Sequence, residues 1–292
     1  METSDLLKKV RKIEIKTRGL SSQLFAGEYH SAFKGSGMAF SEVRNYAIGD
    51  EIRKIDWNVT ARFNAPFIKV FEEEREMTVI LLVDVSSSGE FGTKDQLKRD
   101  VITELCAVLS FSAIQNNDKI GIIFFSDKIE KFIPPKKGKS HILRIISELI
   151  TFKPESKGTD IAGALRYMTN AIKKKSTAFM ISDFIDAKDY KHALKIGNKK
   201  HDLVALRIHD LREGEMPNIG LAPFQDNETG EIKVVDTSNK KVRDLYASKT
   251  RERIDSLEEA FKRAGIDFAH VATNENYVKP LMNLFKKRES KR

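Results

Sequence analysis

Cysteine is nearly absent: the 292 residues hold one, Cys106. A lone thiol excludes a disulfide framework and any Cys/His zinc spacing, so the expected setting is a reducing cytoplasm. Also missing is any apolar run near the roughly 18 residues of a membrane span. The opening residues, Met1 to Asp5, carry no signal-peptide apolar core. The six histidines and Cys106 form no Ser-His-Asp or Cys-His grouping, which argues against those nucleophilic hydrolases. Gly35-Ser36-Gly37 has no strand before it and no Lys-Ser/Thr after it, so it reads as a loop and not a phosphate cradle.

What is present describes a globular chain on the polar side, 40% hydrophobic and 32% charged. The length suits one large domain, or one domain with an appendage. The net charge of +9 permits nucleic-acid or anionic-surface binding. Its clusters, Lys8 to Lys12, Lys173 to Lys175, Lys199-Lys200 and Lys286 to Arg288, fall at helix ends or termini, where cations stay solvated or oppose the helix dipole. No nucleic-acid-binding motif accompanies them, and none is expected to act.

The stretch that organises the chain is Asp84-Val85-Ser86-Ser87-Ser88, after the apolar run Met77 to Val83. That run reads as a strand buried on both faces. Residues two apart can point the same way, so Asp84, Ser86 and Ser88 can converge beyond the strand's carboxyl end, where open parallel sheets bind ligands. One carboxylate with two hydroxyls is a hard-oxygen set, suited to Mg²⁺ rather than Zn²⁺. Thr159 precedes a helical pattern in Lys157-Gly158-Thr159-Asp160, with Gly158 expected to loosen the loop. Asp183 closes a second apolar strand, Thr177 to Ser182. The bland alternative makes the serines turn formers and Asp183 a helix cap.

These three motifs, in this order, resemble the metal-ion-dependent adhesion site (MIDAS) of the von Willebrand factor A fold. The resemblance implies that Ser86, Ser88 and Thr159 touch the metal, with Asp84 and Asp183 acting partly through water. It further implies that the ion, Mg²⁺ or another divalent cation such as Mn²⁺ or Ca²⁺, takes an Asp or Glu from a protein partner in its open position.

A narrower likeness spans Gly37 to Trp57, with Phe40-Ser41-Glu42-Val43-Arg44, Tyr46, Gly49-Asp50, Arg53 and Ile55-Asp56-Trp57. Ala61-Arg62 and Val70 to Arg75 extend it. This signature resembles a bacterial family known as domain of unknown function 58, departing at Gly89, where relatives often carry Met. The resemblance implies a von Willebrand A-like domain and association with a MoxR-type AAA+ ATPase, in chaperone-like assembly or activation of other proteins.

The expected fold class is α/β: a von Willebrand A-like (Rossmann-type), mostly parallel sheet with one antiparallel edge strand and helices on both faces. Residues 1–76 are expected to form a family-specific N-terminal region, and 77–292 the von Willebrand A-like domain with a β-rich insertion at about 211–247. Within the first region a helix is expected over 5–20. Asp50 can cap a short helix, and Arg44, Arg53, Arg62, Asp50 and Asp56 can form a charge network with Trp57 as its packed body; the segment reads first as a β/loop strap on the sheet, and second as a binding surface. Phe67 to Glu72 reads as a strand, at the sheet edge or in a small layer of its own.

Downstream, Lys94 to Asn116 reads as a helix with a stripe from Leu97 to Ser112. Lys119 to Phe125 and Ile129 to Ile133 form a hairpin, ended by Pro134-Pro135. Helices are expected over 141–150, 161–175, 190–200, 242–265 and 277–287, and strands over 202–208 and 268–272. Leu221 to Gln225 pairs with Ile232 to Val235. His209-Asp210 also falls at a strand's carboxyl end, but Asp210 reads first as the start of a loop.

The reading that follows is a non-enzymatic, metal-dependent protein-binding module. The alternative is a Mg²⁺-dependent phosphohydrolase with Asp84 as nucleophile. Against it, the acid/base commonly found two residues on is replaced by Ser86.

Overall fold

A computed structural model describes residues 8, 10–17, 38–73, 76–87, 97–225 and 231–291. Two compact units emerge, residues 34–77 and a larger unit of 78–292 grouped with 1–33. Residues 10–17 of the expected first helix are helical.

The smaller unit holds two antiparallel strands, β1 (Met38–Asn45) and β2 (Phe67–Glu73). Of the two placements open for Phe67 to Glu72, the separate small layer is the observed one. Helix α1 (Trp57–Phe63) starts at Asp56, whose carboxylate accepts from the Asn58 and Val59 amides. Asp50 does not cap the 3₁₀ turn Ile52–Lys54; its two oxygens instead accept from the Arg44 guanidinium at 2.7 and 2.8 Å. Trp57 is no packed body either, being 67% exposed. Among the residues of this small unit whose burial is described, only Ile68 is a buried hydrophobic, and a unit this small offers an indole little core to enter.

The larger unit is built on a six-stranded sheet in the order β10-β7-β6-β3-β4-β5. Its strands are β3 (Thr78–Asp84), β4 (Lys119–Phe125), β5 (Ile129–Lys136), β6 (Thr177–Ser182), β7 (Asp202–His209) and β10 (Asp267–Ala272). All neighbours are parallel except β4 and β5. This is the von Willebrand A-like arrangement, with its antiparallel edge. β5 runs through Pro134 and Pro135, further than expected, because an edge strand has one rim that needs no amide donor. A Cβ at Gly121 would lie 2.8 Å from the Pro135 nitrogen, so only glycine lets β4 approach β5 there.

Strand β3 is central, and residues 79–83 are almost wholly buried because both faces are covered. Helices α2 (Lys98–Gln115) and α3 (Lys139–Thr151) pack together on one face. On the other, Ile80, Leu82, Ile123 and Met180 meet α4 (Ile161–Ala171), α5 (Lys191–Lys200) and α6 (Lys240–Ala264) through Leu165, Leu194 and Phe261. α7 (Val278–Glu289) packs on β10.

Leu97 does not belong to the α2 stripe. It is the exposed residue ahead of the helix, whereas Val101, Leu105, Val108, Phe111 and Ser112 are buried as expected. The paired strands β8 (Leu221–Gln225) and β9 (Ile232–Asp236) form the small β insertion.

Candidate functional site

Because β3 and β6 are adjacent and parallel, Asp84 and Ser182-Asp183 arrive at the same carboxyl rim. Asp84 is 5% exposed, and its carboxylate is held by two local donors. The Ser86 amide gives a hydrogen bond to Oδ1 at 2.9 Å, the turn an Asp favours two residues ahead of an amide. The Ser182 hydroxyl donates to Oδ2 at 2.6 Å, and Ser182 Oγ accepts from the Phe184 amide at 2.9 Å. Phe184 sits at φ 60°, a left-handed conformation that bulky residues seldom adopt. Its ring is held against Phe261, 5.0 Å between centroids.

Asp183 is as buried as Asp84. Its Oδ1 accepts from the Ile185 amide at 3.1 Å and its Oδ2 from Lys98 Nζ at 3.0 Å. Lys98 also pairs with Glu213, on the turn after β7. Its side chain is only 2% exposed.

Burial drives the Asp84 pKa up, and the charge of Asp183 adds to the rise; the Ser182 and Ser86 hydrogen bonds pull it back. The result is about 6 against an ordinary 3.8. Burial alone would lower the Lys98 pKa, but the charges of Asp183 and Glu213 outweigh it and raise it.

Thr159 and Ser86 are both buried. The Thr159 loop meets the serine loop directly. Ser87 donates from its amide and hydroxyl to the Lys157 carbonyl, at 3.2 and 3.1 Å. The Asp160 amide donates to the Ser126 carbonyl at 2.8 Å, and Asp160 caps α4. Gly158 does not adopt a left-handed backbone, and an added Cβ would rest in ordinary contact, 3.5 Å from Asp127 Cβ. Ser88 lies outside the described residues.

The structure thus brings Asp84, Ser86 and Asp183 together, and sets the loop of Thr159 against the loop of Ser86. Asp210 behaves as a loop-starting residue, accepting from the Arg212 amide and from Thr273 Oγ1, both at 2.8 Å. Among the described residues, no group of three or more His, Cys, Asp and Glu is arranged for a metal. A cation here must draw on hydroxyls, and carboxylates with hydroxyls are the chemistry that hard divalent ions take. The residues fit such an ion.

Three participants escaped sequence reading. Ser182 sits next to Asp183 but reads as the last residue of the strand. Lys98 stands one and two turns ahead of Ile102 and Leu105 on the same stripe, which was a usable signal. Glu213 carried no signal.

The family described as "Protein of unknown function DUF58" matches residues 42–255. Similar curated proteins include the uncharacterized protein Rv1480 of Mycobacterium tuberculosis, 26% identical over 226 residues, which are 77% of this chain and 71% of that one. The uncharacterized protein YeaD of Bacillus subtilis is 26% identical over 131 residues, 45% of this chain and 29% of that one. Among solved structures, conserved hypothetical protein BatB from Bacteroides thetaiotaomicron aligns at a TM-score of 0.47 with 18% identity, covering 73% of this chain and 99% of that one. Proximal thread matrix protein 1 from the mussel byssus, with a zinc-occupied MIDAS motif, aligns at a TM-score of 0.36 with 14% identity, covering 73% of this chain and 69% of that one.

Proposed function

The chain belongs to the family described as protein of unknown function DUF58, and we propose that it is a non-enzymatic protein-binding module that works through a divalent cation. Asp84, Ser86, Thr159, Asp183 and, outside the described residues, Ser88 would hold the ion. Mg²⁺ is the proposed ion, with Mn²⁺ or Ca²⁺ as substitutes. Bound there, it supplies a positive seat for an Asp or Glu side chain of a partner.

The observation that carries this reading is the pairing of two buried carboxylates at one rim, with Ser86 beside them and the Thr159 loop latched on. Both oxygens of Asp84 are engaged by serine donors, which orients the group as a ligand. The residue two ahead is Ser86, which cannot serve as the carboxylic acid of a phosphoryl-transfer pair. No described helix is long and apolar enough to cross a membrane. Family resemblance names the partner to look for, a MoxR-type AAA+ ATPase in a cytoplasmic assembly or activation role.

Affinity capture from native lysate tests this. With Mg²⁺ the wild-type chain is expected to retain such an ATPase, and EDTA or Asp84→Ala to release it while the fold persists. A partner set indifferent to both changes would overturn the reading. So would sustained Mg²⁺-dependent phosphatase turnover abolished by Asp84→Asn.

A further inference from the structure

Lys98 is a cation placed where a metal-binding rim would ordinarily carry none. Its stem is buried at the start of α2, and its ammonium lies 3.0 Å from Asp183 Oδ2. A second carboxylate, Glu213, meets the same ammonium from the turn Leu211–Glu213. The other oxygen of Asp183 is already engaged by the Ile185 amide. The Glu213 oxygen Oε2 is buried and has no hydrogen-bond partner among the described residues.

We propose that Lys98 is an internal counter-ion that competes with the divalent cation for Asp183, and that Glu213 is the seat it falls back on when the cation enters. This rests on the metal reading above and adds a regulatory element to it.

The argument is electrostatic. A buried carboxylate without a cation is costly, and Lys98, 3.0 Å from Asp183 Oδ2, supplies the opposite charge to it while no metal is bound. The same charge repels an incoming divalent ion at close range, where screening by water is weak. Metal uptake must therefore displace the ammonium from Asp183. Glu213 eases that displacement, because it already pairs with the ammonium and its second, buried oxygen can accept it without a large movement. The rim then binds metal weakly alone, and more tightly when a partner carboxylate adds its negative charge. Glu213 lies between β7 and the β8–β9 hairpin, so the exchange also links occupancy of the rim to that segment.

The test uses the full chain and Mn²⁺ alone as probe, read by the electron paramagnetic resonance of free Mn²⁺. Lys98→Met keeps the length of the stem and removes the charge; it is expected to tighten Mn²⁺ binding roughly tenfold or more. Glu213→Gln, which removes the fallback seat, is expected to weaken it. In the Lys98→Met background, Glu213→Gln should have a much smaller effect, since the two act through one contact.

Unchanged or weaker Mn²⁺ binding by a folded Lys98→Met protein overturns the proposal. Should that variant fail to fold, Glu213→Gln decides: unchanged or tighter binding overturns it. Asp84→Asn separates the two levels. Saturable wild-type binding lost in Asp84→Asn, with no effect of Lys98 or Glu213, leaves the metal reading standing and removes the counter-ion. No saturable binding by any variant removes both.

Discussion

Ser182 Oγ and Asp84 Oδ2, 98 positions apart in the sequence, lie 2.6 Å apart across the junction of β6 and β3. One hydroxyl thereby fixes the first carboxylate of the rim, and its oxygen also receives the Phe184 amide that starts the turn past Asp183.

Ser182→Ala removes a buried, charge-assisted hydrogen bond and leaves the Phe184 amide without its acceptor. The expected cost is about 1.5–3 kcal/mol of folding stability, measured by urea denaturation. A loss within ~0.5 kcal/mol would show that the contact does not organise the rim.

Asp84 makes the metal-free protein less stable than it needs to be. Its folded pKa is about 6, against an ordinary 3.8, so the folded chain holds the proton more tightly than the unfolded one. That contribution favours folding below about pH 4 and is lost as pH rises through about 6. Asp84→Asn is isosteric and carries no charge. In EDTA at pH 7.5 it is expected to be more stable than wild type by about 1–2 kcal/mol, with the difference closing near pH 4. Paired denaturation curves at the two pH values check this, and a less stable variant at pH 7.5 contradicts it.

The strands were legible in the sequence because the central ones are buried on both faces and read as unbroken apolar runs; Met77 to Val83 became β3 nearly residue for residue. The hairpin at the edge was legible from two runs, Lys119 to Phe125 and Ile129 to Ile133, set close together in the sequence. The first acid of the candidate site was legible because it terminates such a run. What the pattern could not show was pairing across long separations. Lys98 shares a helix stripe with Ile102 and Leu105, which marks it as inward-facing, but its partner Asp183 stands 85 positions away, and Glu213 belongs to a turn with no periodicity at all. Trp57 misled for the opposite reason: a large aromatic suggests a core, but the unit around it is too small to supply one.

His209, at the end of β7, has its pKa pushed down to about 4 by burial, with the charges of Arg207 and His270 adding to the effect. Its Nδ1 is buried with no hydrogen-bond partner among the described residues, and a backbone hydrogen bond at Arg207 opposes the fall only in part. A depressed folded pKa contributes stability above the unfolded value of 6.5 that is lost as pH falls toward 4. His209→Gln is expected to flatten the acid limb in that window by roughly 1 kcal/mol after allowance for solvent screening. Melting temperatures at pH 4.5 and 7 for both proteins test it, and identical acid limbs would contradict it.

Thr159→Ala is expected to cost ten- to a hundredfold in Mn²⁺ affinity, because a hard ion loses one neutral oxygen donor. Its melting temperature in EDTA should stay within about 2 °C of wild type, since only one hydroxyl is removed. Calorimetric titration measures the first and a thermal scan the second. Unaltered affinity would remove Thr159 from the ligand set.

The most direct measurement is anomalous diffraction from crystals of the chain equilibrated with Mn²⁺ at neutral pH. The account predicts a manganese peak at the carboxyl rim of β3 and β6. It should be bonded directly or through one water to Asp84, Ser86, Ser88, Thr159 and Asp183. Saturating Mn²⁺ that leaves this rim without a peak, or places manganese only elsewhere on the surface, would contradict it.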